Sequence, residues 1–145
     1  MAAIELIGEY VDALPGSSRR LADGEWGVTV ASKEAGGWPL DVGIRLVEGI
    51  VQAKALALAS PDGIDPWMLL WWNRQTRYAR FGCTEGREIW VHADVPAAGL
   101  DERMVDRLLG LVVEGALAVR SFKADRAAPT EDDADRWLTP RADGP

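Results

Sequence analysis

The chain has 145 residues, of which 48% are hydrophobic and 27% are charged, and its formal net charge is −7. This length and apolar content are sufficient for one domain with a core of its own. The acidic balance disfavours binding to nucleic acid, because neutralising phosphates requires a basic surface.

The beginning of the chain predicts a helix followed by a strand. Apolar residues recur at helical spacing over residues 4–14, and Pro15-Gly16 ends that pattern. A polar Ser-Ser-Arg-Arg linker comes next. Alternating Trp26, Val28 and Val30 then predict the first strand.

The following segment predicts a β-hairpin. Apolar residues alternate over residues 40–46 and again over residues 51–57, and Glu48-Gly49 between them is typical of a two-residue turn. Such a turn pairs Ile44 with Ala53. Both strands then direct the same apolar side inward.

A short apolar helix follows this hairpin. Asp65-Pro66 is typical of a helix start, with a capping carboxylate followed by proline at the first helical position. Residues 67–72 are apolar over more than a full turn, so we expect the helix to be contacted from more than one direction, between the sheet and another surface. We expect the seven scattered tryptophans of the chain to pack in the core and at interfaces.

Residues 79–83 and 89–93 predict a second hairpin around a Glu-Gly-Arg loop. In the register that directs the apolar side chains inward, the pairs are Phe81 with Val91, Gly82 with Trp90 and Cys83 with Ile89. We expect the ring of Trp90 to cover the bare backbone of Gly82. We also expect Cys83 to be a small buried hydrophobe.

Neither catalytic nor metal chemistry is favoured by this arrangement. Cys83 and His92 lie on neighbouring predicted strands near Asp94, but Cys83 faces inward while the other two face outward, so a nucleophilic dyad does not close. No metal-ligand spacing and no phosphate-binding glycine loop occurs in the sequence. We therefore predict no enzyme activity, no metal and no cofactor.

The single cysteine and the lack of any stretch long enough to span a membrane predict a soluble protein of a reducing cytoplasm.

Residues 100–122 predict the longest helix, capped by Asp101. Its inward residues are Met104, Val105, Leu108, Leu111, Val112, Ala116 and Val119. Val113 and Leu117 fall within the polar face and are a candidate dimer or tail contact, and Trp67 is a further candidate dimer contact. We expect one domain over residues 1–122 and an acidic, flexible tail over residues 123–145, pinned at most by Trp137.

An outward surface on the second hairpin and the adjoining short helix is the strongest candidate for a binding site. It is either a solvated sheet face of ordinary cross-strand pairs or a recognition surface, since Trp, Tyr and Arg dominate interface hot spots. We expect Arg80 opposite His92 and Tyr78 opposite Asp94. The candidate partner-binding residues are Trp71, Trp72, Arg74, Tyr78, Arg80, Trp90 and His92.

In chain order the predicted elements are α-β-β-β-α-β-β-α, which form an α+β domain with one antiparallel five-stranded sheet. Four segments, roughly covering residues 25 to 122, resemble the YbjN-type family of candidate bacterial sensory transduction regulators. They are VGIRLVEGIVQAKALA, LLWWNRQTRYARFGC, EIWVHADVPAAGLDE and VDRLLGLVVEGA. The resemblance implies a type III secretion chaperone-like fold, a homodimer without catalytic activity, and in the chaperone branch the binding of a partner protein.

The sequence is compatible with two functions. The first is a non-catalytic regulatory or chaperone-like module that binds a protein partner. The alternative is a small-molecule-binding regulator or weak enzyme with a tryptophan-lined pocket between the sheet and the short helix.

Overall fold

The computed structural model describes residues 2–127, and side chains as far as residue 123. The elements are α1 (Ala3–Asp12), β1 (Ser17–Ala22), β2 (Glu25–Val30), a 3-10 turn (Ser32–Glu34), β3 (Leu40–Val47), β4 (Ile50–Leu58), α2 (Pro66–Gln75), β5 (Ala79–Cys83), β6 (Ile89–Pro96) and α3 (Glu102–Ala127). The predicted α+β class is confirmed.

The sheet has six strands in the order β1-β2-β3-β4-β6-β5, and each neighbouring pair is antiparallel. The prediction of five strands was wrong, because the Ser-Ser-Arg-Arg segment is the edge strand β1 and not a linker. Most of its side chains are exposed, so the segment lacks the apolar alternation that reveals a half-buried strand. Backbone pairing with β2, such as Arg19 with Gly27, defines it instead.

Both predicted hairpin registers are confirmed. Ile44 pairs with Ala53 across β3 and β4, and the turn residues Glu48 and Gly49 both have positive φ, at 52° and 76°, as a type I′ turn requires. Gly82 pairs with Trp90 across β5 and β6. In both hairpins the local turn and the apolar pattern specify the same pairing.

The core lies between one face of the sheet and the helices α1 and α3. Three alanines on β4 (Ala53, Ala55 and Ala57) are almost fully buried and allow α3 to approach the sheet closely. At Gly115 of α3 an added Cβ would lie 3.0 Å from Cγ1 of Val91. The opposite face of the sheet, which we call the outer sheet face, is not packed against α1 or α3.

The long helix begins as predicted, since Oδ1 of Asp101 accepts a hydrogen bond from the Met104 amide at 2.8 Å. It continues to Ala127, five residues past the predicted end. The remainder of the predicted tail, including Trp137, lies outside the described residues.

Two candidate dimer contacts on α3 are already partly buried within one chain. Val113 and Leu117 are partly buried and pack against the core of the same chain. Val113 lies two turns after Asp106, which accepts a hydrogen bond from the Tyr10 hydroxyl of α1 at 2.6 Å. This flank of α3 is therefore covered in part by α1, and the surrounding polar residues obscure that contact in the sequence.

No helix in the described part of the chain is sufficiently long and apolar to cross a membrane.

Candidate functional site

The start of α2 is the one that the sequence predicts. Oδ1 of Asp65 accepts a hydrogen bond from the Trp67 amide at 3.0 Å, and Pro66 occupies the first helical position. At the other end, the Thr76 hydroxyl donates to the Ala79 carbonyl at 2.7 Å. Both ends of this short helix are thus held by side chains, which keeps its faces in a defined orientation.

Three large apolar side chains project from α2 into solvent. Trp67, Leu70 and Trp71 are 78%, 59% and 60% exposed, and their spacing places them on one helix face. We call this set the α2 stripe, and exposed Arg74 continues it by one turn. Leu69 on the opposite side is buried, so α2 packs on the rest of the described chain through its other faces, and the stripe itself remains largely exposed.

Trp72 does not belong to the exposed surface, contrary to its place among the candidate partner-binding residues. Its ring centroid lies 5.9 Å from that of Phe81 and 5.9 Å from that of Phe122. This aromatic cluster joins α2 to β5 and α3. Residues 72 and 71 are adjacent, so helical geometry directs them to different faces.

Tyr78 is also not on the outer sheet face. Its φ is +65°, and it precedes β5 in a tight turn in which the Ala79 amide donates to the Arg77 carbonyl at 2.7 Å. The Tyr78 ring lies under the guanidinium of Arg107 in α3, at 5.4 Å. The left-handed backbone moves the ring out of the strand register, so the predicted position opposite Asp94 was wrong.

Arg80 pairs with His92 in register as predicted, but its guanidinium turns back along the chain. It donates to the carbonyls of Thr76 at 3.0 Å and Ala79 at 2.8 Å. The side chain therefore holds the connection between α2 and β5.

The outer sheet face presents Trp90 and His92 from β6. The Trp90 indole donates to Oε1 of Glu88 at 3.3 Å, and Nζ of Lys54 lies 5.6 Å from its ring centroid. An added Cβ at Gly82 would lie 2.8 Å from Nε2 of His92. The ring that covers the glycine is therefore that of His92, because Glu88 and Lys54 hold the indole of Trp90.

Strand register aligns a row of residues across the outer sheet face. From one edge to the other they are Arg19, Gly27, Gly43, Lys54, His92 and Arg80. Gly27 is buried beneath the guanidinium of Arg19, whereas Gly43 beside it is partly exposed. Side chains able to donate hydrogen bonds lie on both sides of this glycine pair. The arrangement offers backbone and polar contacts to a bound chain.

Cys83 is exposed, so the prediction that it is buried was wrong. It is the last residue of the edge strand β5. A side chain at the end of an edge strand is buried only if another element extends far enough to cover it. Cys83 and His92 are not joined by a hydrogen bond among the described residues. Within the same part of the chain, no group of three or more His, Cys, Asp or Glu side chains is placed to hold a metal.

An open groove of about 390 Å³ lies between α2 and the end of the second hairpin, and we call it the α2–β5 groove. Its walls include Pro61, Ile64, Leu69, Leu70, Phe81 and Ile89. Cys83 and Arg87 also line it, whereas no tryptophan of the described chain does. The predicted tryptophan-lined pocket is thus not this groove, although a neighbouring pocket of about 260 Å³ beside α3 includes Trp72.

Asn73 is a structural residue of the groove that the sequence analysis missed. Its side-chain amide donates to the Phe81 carbonyl at 3.1 Å and accepts from the Phe81 amide at 2.7 Å. These two hydrogen bonds satisfy the backbone N–H and C=O of Phe81 on the free edge of β5, as a neighbouring strand would. An asparagine in the last turn of a helix that precedes an edge strand was the signal available in the sequence.

No protein-family model matches the chain, and a search of curated proteins finds no match.

Solved structures match most of the described fold. A chain of the HopA1–SchA chaperone–effector complex has a TM-score of 0.64 at 13% identity, covering 81% of this chain and 91% of that chain. The Yersinia pestis type III secretion chaperone SycH, in complex with a stable fragment of YscM2, has a TM-score of 0.58 at 12% identity, covering 81% and 98%. YbjN from E. coli has a TM-score of 0.56 at 12% identity, covering 84% and 90%.

The chain therefore has the fold of YbjN and of type III secretion chaperones, as the sequence resemblance predicts. At these identities the likeness establishes the fold alone, because one fold supports many functions.

Proposed function

We propose that the protein is a non-catalytic, homodimeric module of the bacterial cytoplasm that binds a segment of a partner protein. The observation that carries the proposal is the α2 stripe, whose three large apolar side chains are more than half exposed. An apolar patch on a well-held helix is typical of a protein interface, since its burial releases water from a large apolar area.

A second copy of this chain is the occupant that the α2 stripe fits best. The stripe begins at Trp67, and Arg74 follows it on the same helix face. When two such helices cross antiparallel about a two-fold axis, Arg74 of each copy lies near Trp67 of the other, where a cation–π contact forms. The stripe is thus complementary to itself.

The outer sheet face is the proposed binding surface for the partner segment. It combines the half-buried ring of Trp90, the cations Arg19 and Lys54, and the open backbone at Gly43. Aromatic and basic side chains supply much of the energy in protein interfaces. Solved structures of similar fold include chaperones in complex with protein partners, which supports a binding role without identifying this partner.

A photo-crosslinking residue placed at single positions in the full chain tests both surfaces in cells of the source organism. At position 71 we expect an adduct of two copies of this chain, and at position 94 of β6, which is exposed on the outer sheet face, an adduct with one different protein. Position 103 of α3 is also exposed but lies outside both surfaces, so it is the matched control and yields neither product.

The substitution Trp90→Ala removes the aromatic centre of the outer sheet face. It should abolish the adduct at position 94 and leave the adduct at position 71 intact. Equal labelling at positions 71, 94 and 103, or no adduct at the first two, would contradict the proposal.

A further inference from the structure

We propose that residues 136–140 of this chain occupy the α2–β5 groove of the same molecule, with Trp137 and Leu138 as the apolar anchors. This proposal does not depend on the dimer or on the outer sheet face. It concerns regulation within one chain, because an occupied groove covers Cys83.

The residues that line the groove are suited to an apolar occupant with a negative charge nearby. Its walls include Ile64, Leu69, Leu70 and Phe81, and the one charged side chain among its described lining residues is that of Arg87. The amide of Asn73 is already used by the Phe81 backbone. A small polar ligand would therefore find few free hydrogen-bonding groups there, whereas a large hydrophobic side chain would bury apolar surface.

The last described part of α3 brings the chain to this groove. Nζ of Lys123 donates to the carbonyl of Ser60 at 3.3 Å, and the next residue, Pro61, is part of the groove wall. On another side of the helix, Phe122 contacts Trp72 of α2 with a centroid distance of 5.9 Å. The part of α3 at Phe122 and Lys123 therefore lies beside the groove and beside α2.

The distance that the segment must cover is short compared with its reach. Helix α3 continues four residues beyond Lys123 to Ala127, which adds about 6 Å at the helical rise. Ten residues of extended chain from Ala127 to Trp137 span up to about 33 Å. Trp137 can thus return to the groove without disturbing α3.

The composition of the segment matches the groove. Trp137 and Leu138 are the large hydrophobic residues of residues 128–145, and they follow Glu-Asp-Asp-Ala-Asp at residues 131–135. Arg87 in the groove forms no ion pair with another described residue. With the Trp-Leu pair in the apolar site, the adjacent acidic run would have the cation of Arg87 nearby.

Disulfide trapping in the full chain tests this contact, because Cys83 is the single native cysteine and lines the groove. With Thr139→Cys and oxidised glutathione, we expect an intramolecular disulfide, identified by peptide mass, at a rate that does not change on dilution. Adding Trp137→Ser and Leu138→Ser should slow it about tenfold, because only the effective concentration of an untethered tail remains. An unchanged rate, or a disulfide between two copies, would overturn the proposal.

The reactivity of the native thiol gives a second readout without an introduced cysteine. In the full chain, Trp137→Ser with Leu138→Ser should accelerate the reaction of Cys83 with Ellman's reagent by about tenfold, because the occupied groove shields the thiol. The matched control, Arg141→Ser with Asp143→Ser, alters the same segment beyond the anchors and should leave the rate unchanged. Equal rates for the anchor variant and the unmodified chain would reject an occupied groove.

Discussion

Arg120 joins α3 to two separate parts of the chain through one buried guanidinium. It donates to the carbonyls of Ala35 at 2.7 Å, Trp38 at 2.9 Å, Ala57 at 3.2 Å and Pro39 at 3.3 Å. Burial lowers the pKa of this guanidinium, yet arginine remains charged throughout the physiological range. The planar group with five donors is suited to carbonyls that approach from several directions.

Replacing this side chain should be among the most damaging single changes in the protein. Arg120→Met leaves the buried carbonyls of Ala35 and Ala57 without donors, and hydrogen bonds to charged groups contribute about 1.5–3 kcal/mol each. We expect the free energy of unfolding, measured with urea, to fall by about 3 kcal/mol or more.

Arg103→Met on the exposed part of α3 is the matched control for this change and should alter stability by less than about 0.5 kcal/mol. A loss of unfolding free energy for Arg120→Met that is as small as the loss for Arg103→Met would show that the guanidinium contacts of Arg120 contribute little.

Tyr10 makes the free energy of unfolding depend on pH in the alkaline range. Burial and the hydrogen bond to Asp106 raise the pKa of Tyr10 above its usual value. The tyrosine of the unfolded chain ionises at about pH 10. A raised pKa in the folded state therefore stabilises the protein fully below pH 10, and this contribution is lost as the pH rises above that value.

Tyr10→Phe should lower the free energy of unfolding by about 0.5 kcal/mol at neutral pH, since it removes one partly exposed hydrogen bond. The difference in unfolding free energy between the two proteins should shrink as the pH rises past 10. Above that pH Tyr10 ionises in the unfolded chain but stays protonated in the folded chain, which favours unfolding of the native protein and not of the variant. Urea denaturation at pH 8 and pH 11 measures this trend. A difference that stays constant with pH would contradict the assignment.

At the scale of elements, two glycines of α3 occupy contrasting environments. An added Cβ at Gly110 would have no neighbour within 4 Å, whereas at Gly115 it would lie 3.0 Å and 3.4 Å from the two methyl carbons of Val91. Val91 is 1% exposed and β-branched, so it has little freedom to move aside. Close packing of α3 on β6 therefore depends on Gly115.

Alanine substitution at these glycines should give effects of opposite sign. Gly110→Ala is expected to raise the free energy of unfolding by about 0.5–1 kcal/mol through helix propensity alone. Gly115→Ala should lower it by about 1 kcal/mol, because the cost of overpacking exceeds that gain. Thermal or urea unfolding checks both, and equal stabilisation by the two substitutions would disprove a tight contact between α3 and β6.

The elements also show which features can be read from sequence. Turn chemistry at Glu48-Gly49 and apolar alternation are local, so both hairpin registers follow from them. The edge strand β1 carries no such pattern, and the exposure of Cys83 depends on neighbours that are distant in sequence. Arg120 was detectable in principle, since it follows Ala116 by four residues on the buried face of α3.

For the candidate site, the sequence did not determine the direction in which each side chain points. Trp71 and Arg74 do face solvent, whereas Trp72 turns toward Phe81. Tyr78 leaves the strand through its positive φ, which no periodicity reveals. Direction on a short all-apolar helix is set by tertiary contacts and not by pattern, so the division of α2 into a buried side and an exposed stripe required the structure.

At the scale of the whole molecule, the sheet divides the protein into a packed side and an open side. Helices α1 and α3 cover one face, and the outer sheet face remains available to a partner segment. The α2 stripe lies at one end of the sheet, beside the edge strand β5. The stripe and the outer sheet face consist of different residues, as the proposed function requires.

The most direct test of this account is the molar mass of the full chain in solution, measured by light scattering. The native protein is compared with a variant that carries two introduced negative charges on the α2 stripe. One chain has a mass of 15.8 kDa, and we expect the native protein to have twice that mass. Trp67→Glu with Trp71→Glu should give a folded monomer with the circular dichroism spectrum of the native protein, because both side chains are exposed within one chain. A native protein that is monomeric, or a dimer that persists in the double variant, would contradict the central claim.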